Sequence, residues 1–287
     1  MIYRSTFQLL RFHFSVFLMP VYWFAITQLV YINWYNAALV FVILHLLVYP
    51  ASNGYNSYMD RDETPIGGLK KPMQPTKQLF YVTVAMDVMA VTVSFFISMY
   101  FAIGILLYIM ASRAYSSRSI RLKKYPLLGY ATVVLFQGAV TFFLVYYGSS
   151  AELKTNASVS GMIAASLLIG GFYPLTQIYQ HKEDKADGVK TISYKLGYRG
   201  TFIFCASVYS LAMMFLGYTF LSSLMITQFF VLLIFFLPIL VYFFWWAAKV
   251  WKNEAAANFT NTMRMNLLAS TCTNLAFITV LILNHFE

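Results

Sequence analysis

Residues 228–250 read QFFVLLIFFLPILVYFFWWAAKV, and the single charge among them, Lys249, sits at the far end. A helix needs about 20 predominantly apolar residues to cross the hydrocarbon core of a bilayer. This run is long enough to do so. Working outward, eight more stretches have the same character, at roughly 14–34, 38–58, 79–99, 101–116, 127–148, 159–179, 201–222 and 265–284. Only a short break near Tyr100 divides the third from the fourth. A transmembrane barrel would show shorter, alternating segments, and that alternation is missing. The expected fold is therefore all-α. It is a polytopic membrane protein, a bundle of nine transmembrane helices forming a single domain over 1–287.

Composition agrees. The chain is 60% hydrophobic and 10% charged, with a mean hydropathy of +0.66, whereas soluble domains carry about 25% charged residues. No small-residue cleavage pattern follows the first run, so it reads as a span and not as a removable leader. Cys205 and Cys272 both lie inside apolar runs and read as core residues. The net charge of +10 raises a nucleic-acid partner, but orientation explains it better. With nine spans and the N-terminus inside, only Lys154 of the 20 basic residues falls outside, leaving 19 on one side. The expectation is an integral protein of a bacterial inner membrane, N-terminus cytoplasmic and C-terminus outside. No nucleic acid and no obligate protein partner is called for.

Six of the ten acidic residues form two groups, Asp60, Asp62, Glu63 and Glu183, Asp184, Asp187. Each falls at the inside end of an even-numbered span. A repeat sets these groups apart from ordinary loop acids. Tyr49-Pro50 recurs as Tyr173-Pro174, and at the same offset Asn53 matches Gln177, Asn56 matches Gln180 and Asp60 matches Asp184. Two related halves around a central cavity is a recurrent membrane architecture. Positions 53, 56, 60 and 63 share one helix face, as do 177, 180, 184 and 187. Amides are costly in hydrocarbon unless they meet a polar cavity or a partner.

Carboxylate and amide oxygens suit hard cations, above all Mg²⁺, which keeps waters and is often completed by substrate phosphates. Two acidic clusters repel unless cations lie between them. A diphosphate bridged by Mg²⁺ meets both needs. Basic side chains to hold its remaining oxygens are at hand in Arg118, Arg121 and Lys190. Lys70, Lys71 and the other basic residues read equally well as orientation or lipid contacts.

The segment Asn53-Gly-Tyr-Asn56-Ser-Tyr-Met-Asp60-Arg-Asp62-Glu63 resembles the first aspartate-rich motif of UbiA-type intramembrane prenyltransferases. Gln180-His-Lys-Glu183-Asp184-Lys-Ala-Asp187-Gly188-Val-Lys190-Thr191 resembles the second. Tyr115-Ser116 to Lys124 is similar to the family's segment between helices four and five. The resemblance covers essentially the whole chain. It departs from the pattern at Thr64, where the family has Asp, and at Gln180, where the first Asp of the second motif belongs.

The resemblance implies catalytic roles for Asp60 and Asp184. It implies Mg²⁺ as cofactor, held among Asn56, Asp60, Asp62, Glu63, Gln180, Glu183, Asp184 and Asp187. It adds Asn53 and Tyr115 to Arg118, Arg121 and Lys190 as diphosphate contacts. The implied partners are an isoprenoid diphosphate donor, a hydrophobic acceptor, often aromatic, and the surrounding lipid. Aromatic side chains, 27 Phe and 22 Tyr among them, would shield a cationic allylic carbon from water. Asp87, an acid inside the third span, is a separate functional candidate. His181 reads as a surface residue. A secondary transporter or ion-coupled carrier with a cytoplasmic-side anion site is the alternative. Its acids, however, belong near the bilayer midplane and not at a span's end.

Overall fold

The computed structural model describes residues 2–286. Among them are nine helical rods and no strand beyond two isolated bridges. We number the rods α1 (Arg4–Thr27), α2 (Trp34–Asp60), α3 (Lys77–Ser94), α4 (Met99–Ser116), α5 (Pro126–Ser149), α6 (Val159–Ala186), α7 (Ile192–Ser222), α8 (Ile226–Lys252) and α9 (Phe259–Asn284). Eight of these are long and apolar enough to cross a membrane. The ninth, α3, has 18 residues but begins at Lys77 and carries Asp87. That acid is internally neutralised, because Arg113 of α4 forms an ion pair with it.

Several boundaries move from the sequence expectation. The break between α3 and α4 lies at residues 95–98, where the Ser98 hydroxyl caps α4 by accepting from the Phe101 N–H at 3.0 Å. Rod α7 starts nine residues before position 201, at Ile192, where Thr191 caps it by accepting from the Tyr194 N–H at 3.2 Å. Gly197, at φ 71, bends it soon after. Rod α1 begins before the expected start at 14 and takes Arg11 with it. Arg11 is 6% exposed. Its guanidinium donates to the carbonyls of Gly67 at 3.1 Å and Asn53 at 3.2 Å, which replace its water.

Two of the irregular rods contain a proline. Pro50 has no N–H to give the Leu46 carbonyl, and the turn before it, Val42–Val48, relaxes into a π-helix. Pro174 sits inside α6, which tightens into a 3₁₀ turn at Ile178–Gln180 before a last helical stretch, His181–Ala186. The two Tyr-Pro segments therefore differ locally. The first runs as unbroken α-helix to Asp60, and the second is broken four residues before Asp184.

Close backbone approach holds the bundle together, because lipid is as apolar as the side chains and supplies little drive. Gly138 of α5 faces Ser166 of α6 so closely that an added Cβ would stand 2.4 Å from the Ser166 Cα. Rods α6 and α7 run along each other, as do α8 and α9. The outer face of α8 presents Phe230, Ile234, Leu237, Val241 and Phe244, all at least 57% exposed, at three- to four-residue spacing. Its inner face buries Leu232, Phe236, Ile239 and Trp246.

Candidate functional site

A cavity of about 580 Å³ opens inside the bundle, large enough for a drug-sized ligand. Side chains of α1, α2, α4, α5, α6 and α9 line it, whereas α3, α7 and α8 lie behind them. Both acid-bearing rod ends reach the same cavity. Asp60, Asp62 and Glu63 line it from α2 and the loop after it, and Glu183, Asp184 and Asp187 line it from the end of α6. Asn53, Asn56, Gln180 and Tyr115 line it too. Ten of the thirteen expected site residues thus converge.

The rods are registered by polar contacts at this wall. Asn56 Nδ2 donates to Ser116 Oγ at 3.0 Å, and the Ser52 and Ser112 hydroxyls meet at 2.6 Å. Tyr115 of α4 and Tyr173 of α6 share a hydrogen bond through their phenol oxygens. Gln177 Nε2 donates to Tyr173 at 2.8 Å. This network fixes α2, α4 and α6 relative to one another across the cavity.

The remaining three expected residues sit elsewhere. Arg118 donates to the carbonyls of Met59 at 2.6 Å and Asp60 at 3.4 Å, so it caps the end of α2. Lys190 is exposed, and its backbone N–H reaches the Lys124 carbonyl at 3.4 Å. Arg121 pairs with Asp187 and approaches Asp60 at 3.8 Å, bridging the two acidic groups without lining the cavity. The cation that does line it is Lys123, ion-paired with Asp60. Arg11 lines it as well. Neither was expected there, because each reads in the sequence as an orientation residue. Tyr173 and Gln177 belong to the repeat and could have been chosen from it. His181 is not a surface residue. It is 7% exposed, and its Nε2 lies 2.8 Å from Ser193 Oγ.

Six carboxylates face Lys123, Arg121 and Arg11, so negative charge is in excess. Asp62, in the loop beyond α2, registers it. Burial pushes its carboxyl up to about 6, Asp60 adds to the rise, and Lys123 and Arg11 work against it. Among the described residues, no three His, Cys, Asp or Glu side chains form a ready metal cage. Mg²⁺ does not need one, since it commonly takes one or two carboxylates and completes its shell with water and phosphate. The donor set fits such an ion. Asp60 Oδ1, Glu183 Oε2 and Gln177 Oε1 are buried oxygens of cavity-lining side chains with no hydrogen-bond partner among the described residues. Native structures rarely leave such atoms unmet.

The sequence profile of the UbiA prenyltransferase family matches residues 16–268. No curated protein matches the chain. Among solved structures, a UbiA homologue from Archaeoglobus fulgidus bound to GPP and Mg²⁺ is similar, with a TM-score of 0.70 and 18% identity over 96% of this chain and 99% of that one. The same homologue bound to DMAPP and Mg²⁺ gives 0.67 and 19% over the same shares. A structure of digeranylgeranylglyceryl phosphate synthase gives 0.62 and 18%, covering 97% of this chain and 98% of that one. At these identities the likeness is one of fold.

Proposed function

The chain belongs to the UbiA prenyltransferase family, and from that premise we propose that it transfers a prenyl group, with Mg²⁺, from an isoprenoid diphosphate to a hydrophobic acceptor, with an aromatic one the first to try. It is an integral membrane enzyme, and family membership displaces the carrier alternative. The observation that carries the finer reading is the convergence of two acid-bearing rod ends on one cavity, with unmet oxygens on Asp60 and Glu183. The Archaeoglobus homologue holds GPP or DMAPP with Mg²⁺, which makes a short prenyl diphosphate the first donor to try.

Asp60 and Asp184 would be the principal ligands of Mg²⁺, with Asn56, Asp62, Glu63, Gln180, Glu183 and Asp187 around them. Bound there, the ion would neutralise the diphosphate and make it a better leaving group. Arg121, as expected, and Lys123, both beside Asp60, would take further phosphate oxygens, with Lys123 in the role first given to Arg118 and Lys190. Asn53 and Tyr115 would orient the head group. The C–O bond to the diphosphate breaks with its electron pair leaving on oxygen. The allylic carbon accepts a pair from the acceptor, and the acceptor loses a proton. Tyr108, Phe136 and Phe172 line the cavity, where aromatic faces would stabilise the cationic carbon and keep water from it. The lysine and arginine surplus at this end supports a cytoplasmic mouth.

The test is binding of labelled geranyl diphosphate to purified protein with Mg²⁺ and with chelator. Asp60→Asn and Asp184→Asn each lower metal-dependent affinity by about 100-fold, or about 2.8 kcal/mol, within the roughly 2–5 kcal/mol of truncating one partner of a buried charge pair at a binding site. Binding that survives chelator, or that both variants retain, defeats the proposal. Turnover against aromatic and lipid acceptors then identifies the second substrate.

A further inference from the structure

The acid-bearing ends account for one region of the cavity. A rod that bears none of the acids carries a polar group that the diphosphate reading leaves without work. Asn266, on α9, is 1% exposed and lines the same cavity, and neither Nδ2 nor Oδ1 has a partner among the described residues. Its neighbours in sequence, Met265, Leu267 and Leu268, are apolar.

The other asparagines at and along α9 are all employed. Asn258 donates to Ala255 O at 2.9 Å and Asn261 to Ala256 O at 2.9 Å. Asn274 donates to Val16 O at 3.2 Å and Asn284 to Thr27 O at 3.1 Å, tying α9 to α1. Asn266 alone among them serves no fold contact. A buried amide with both ends free is expensive to keep, so a ligand is the natural partner. The group that satisfies both ends at once accepts from Nδ2 and donates to Oδ1. A hydroxyl does this.

We propose that Asn266 is a binding and specificity residue for the acceptor, selecting an apolar molecule that carries a hydroxyl. This rests on the prenyltransferase reading and names the chemical class of its second substrate. The hydroxyl is held on the α9 wall, on a rod that carries neither acidic group, so donor and acceptor heads enter the cavity on different elements. An acceptor lacking the hydroxyl leaves the amide unmet and is discriminated against.

The probes are 2-naphthol, 2-methoxynaphthalene and naphthalene, titrated without donor into detergent-purified protein against empty micelles. The parent protein prefers 2-naphthol over its methyl ether by about tenfold, the worth of one to two net hydrogen bonds. Asn266→Leu, similar in volume, flattens that preference to about twofold or less and melts no lower than the parent. A preference that persists in Asn266→Leu overturns the proposal. So does a clearly lowered melting temperature, which would assign the amide to the fold. Asn266→Asp, which keeps the shape and loses the donors, weakens 2-naphthol in the same direction, and an unchanged affinity there also counts against it. Metal-dependent geranyl diphosphate binding, measured on the same samples, is retained in Asn266→Leu. Its absence from the parent defeats the donor reading, while the naphthol titration still decides Asn266.

Discussion

Single residues in this bundle are governed by what a charge or amide can find inside it. Asp87 shows the rule in its plainest form. Its carboxylate pairs with Arg113, whose guanidinium also lies 3.9 Å from the centre of the Tyr55 ring. With side chains 19% and 14% exposed, the pair is mostly shielded. It lies outside the residues lining the cavity, so a structural role fits it better than the functional one the sequence allowed. Asp87→Leu alone strands the arginine and costs about 3 kcal/mol. The double change Asp87→Leu with Arg113→Leu recovers most of that, read by thermal melting in detergent. A double variant as weak as the single would mean that the arginine serves Tyr55, and Thr83 to whose hydroxyl it donates at 3.4 Å, more than the acid. Sequence reading fared unevenly at this scale. The placement of Asp60 and Asp184 at one cavity was legible because the repeat marks them. Arg11 and Lys123 were not, because a basic residue near a span's end has the same signature whether it faces lipid head groups or a cavity.

At the scale of elements, length and apolarity predicted nine membrane spans, and the structure has nine helical rods among the described residues, eight of them long and apolar enough to cross a membrane. Their ends were harder. The start of α4 is set by one serine hydroxyl, and α7 starts at Ile192, nine residues before the expected 201 and ahead of a bend at Gly197. The 3₁₀ turn at Ile178–Gln180 has no glycine or proline within it, and nothing in those residues marks the break. It alters the expected helical face, since Asp187 caps the last stretch from outside it. The close approach of α5 and α6 was also invisible, because Gly138 looks like any glycine in an apolar run. Gly138→Leu must push Ser166 away, and forcing atoms into a packed interface costs about 1–3 kcal/mol. It lowers the melting temperature and, by parting α5 from α6, weakens donor binding. Gly188→Ala, at φ 67 in the loop after α6 with nothing within 4 Å, strains the backbone without a clash. An unaltered melt in Gly138→Leu would show that the rods separate freely there.

For the whole molecule, the site exists only as an assembly. Six rods line the cavity, with the acidic residues coming from the ends of α2 and α6 and the rest of the wall from α1, α4, α5 and α9. Ligand occupancy should therefore stiffen the entire bundle. Geranyl diphosphate with Mg²⁺ at 100 times its dissociation constant adds about 2.7 kcal/mol of stability, seen as a raised melting temperature that chelator reverses. The absence of any shift would mean that the rods do not close on the donor. Topology has its own test. A cysteine at Lys154 reacts with an impermeant reagent added outside intact cells, and one at Lys190 does not. The reverse pattern would invert the assignment.

The outer face of α8 carries a quieter implication. Phe230, Ile234, Leu237, Val241 and Phe244 project away from the cavity, where a bilayer asks only that a side chain be greasy. Such positions tolerate exchange among large apolar residues at little penalty, whereas Gly138 and the cavity wall do not. A fold built this way can lose most of its letters over descent and keep its shape, which is how 18% identity coexists with a TM-score of 0.70. Random mutagenesis should find the silent changes crowded on that lipid-washed flank and the damaging ones facing inward.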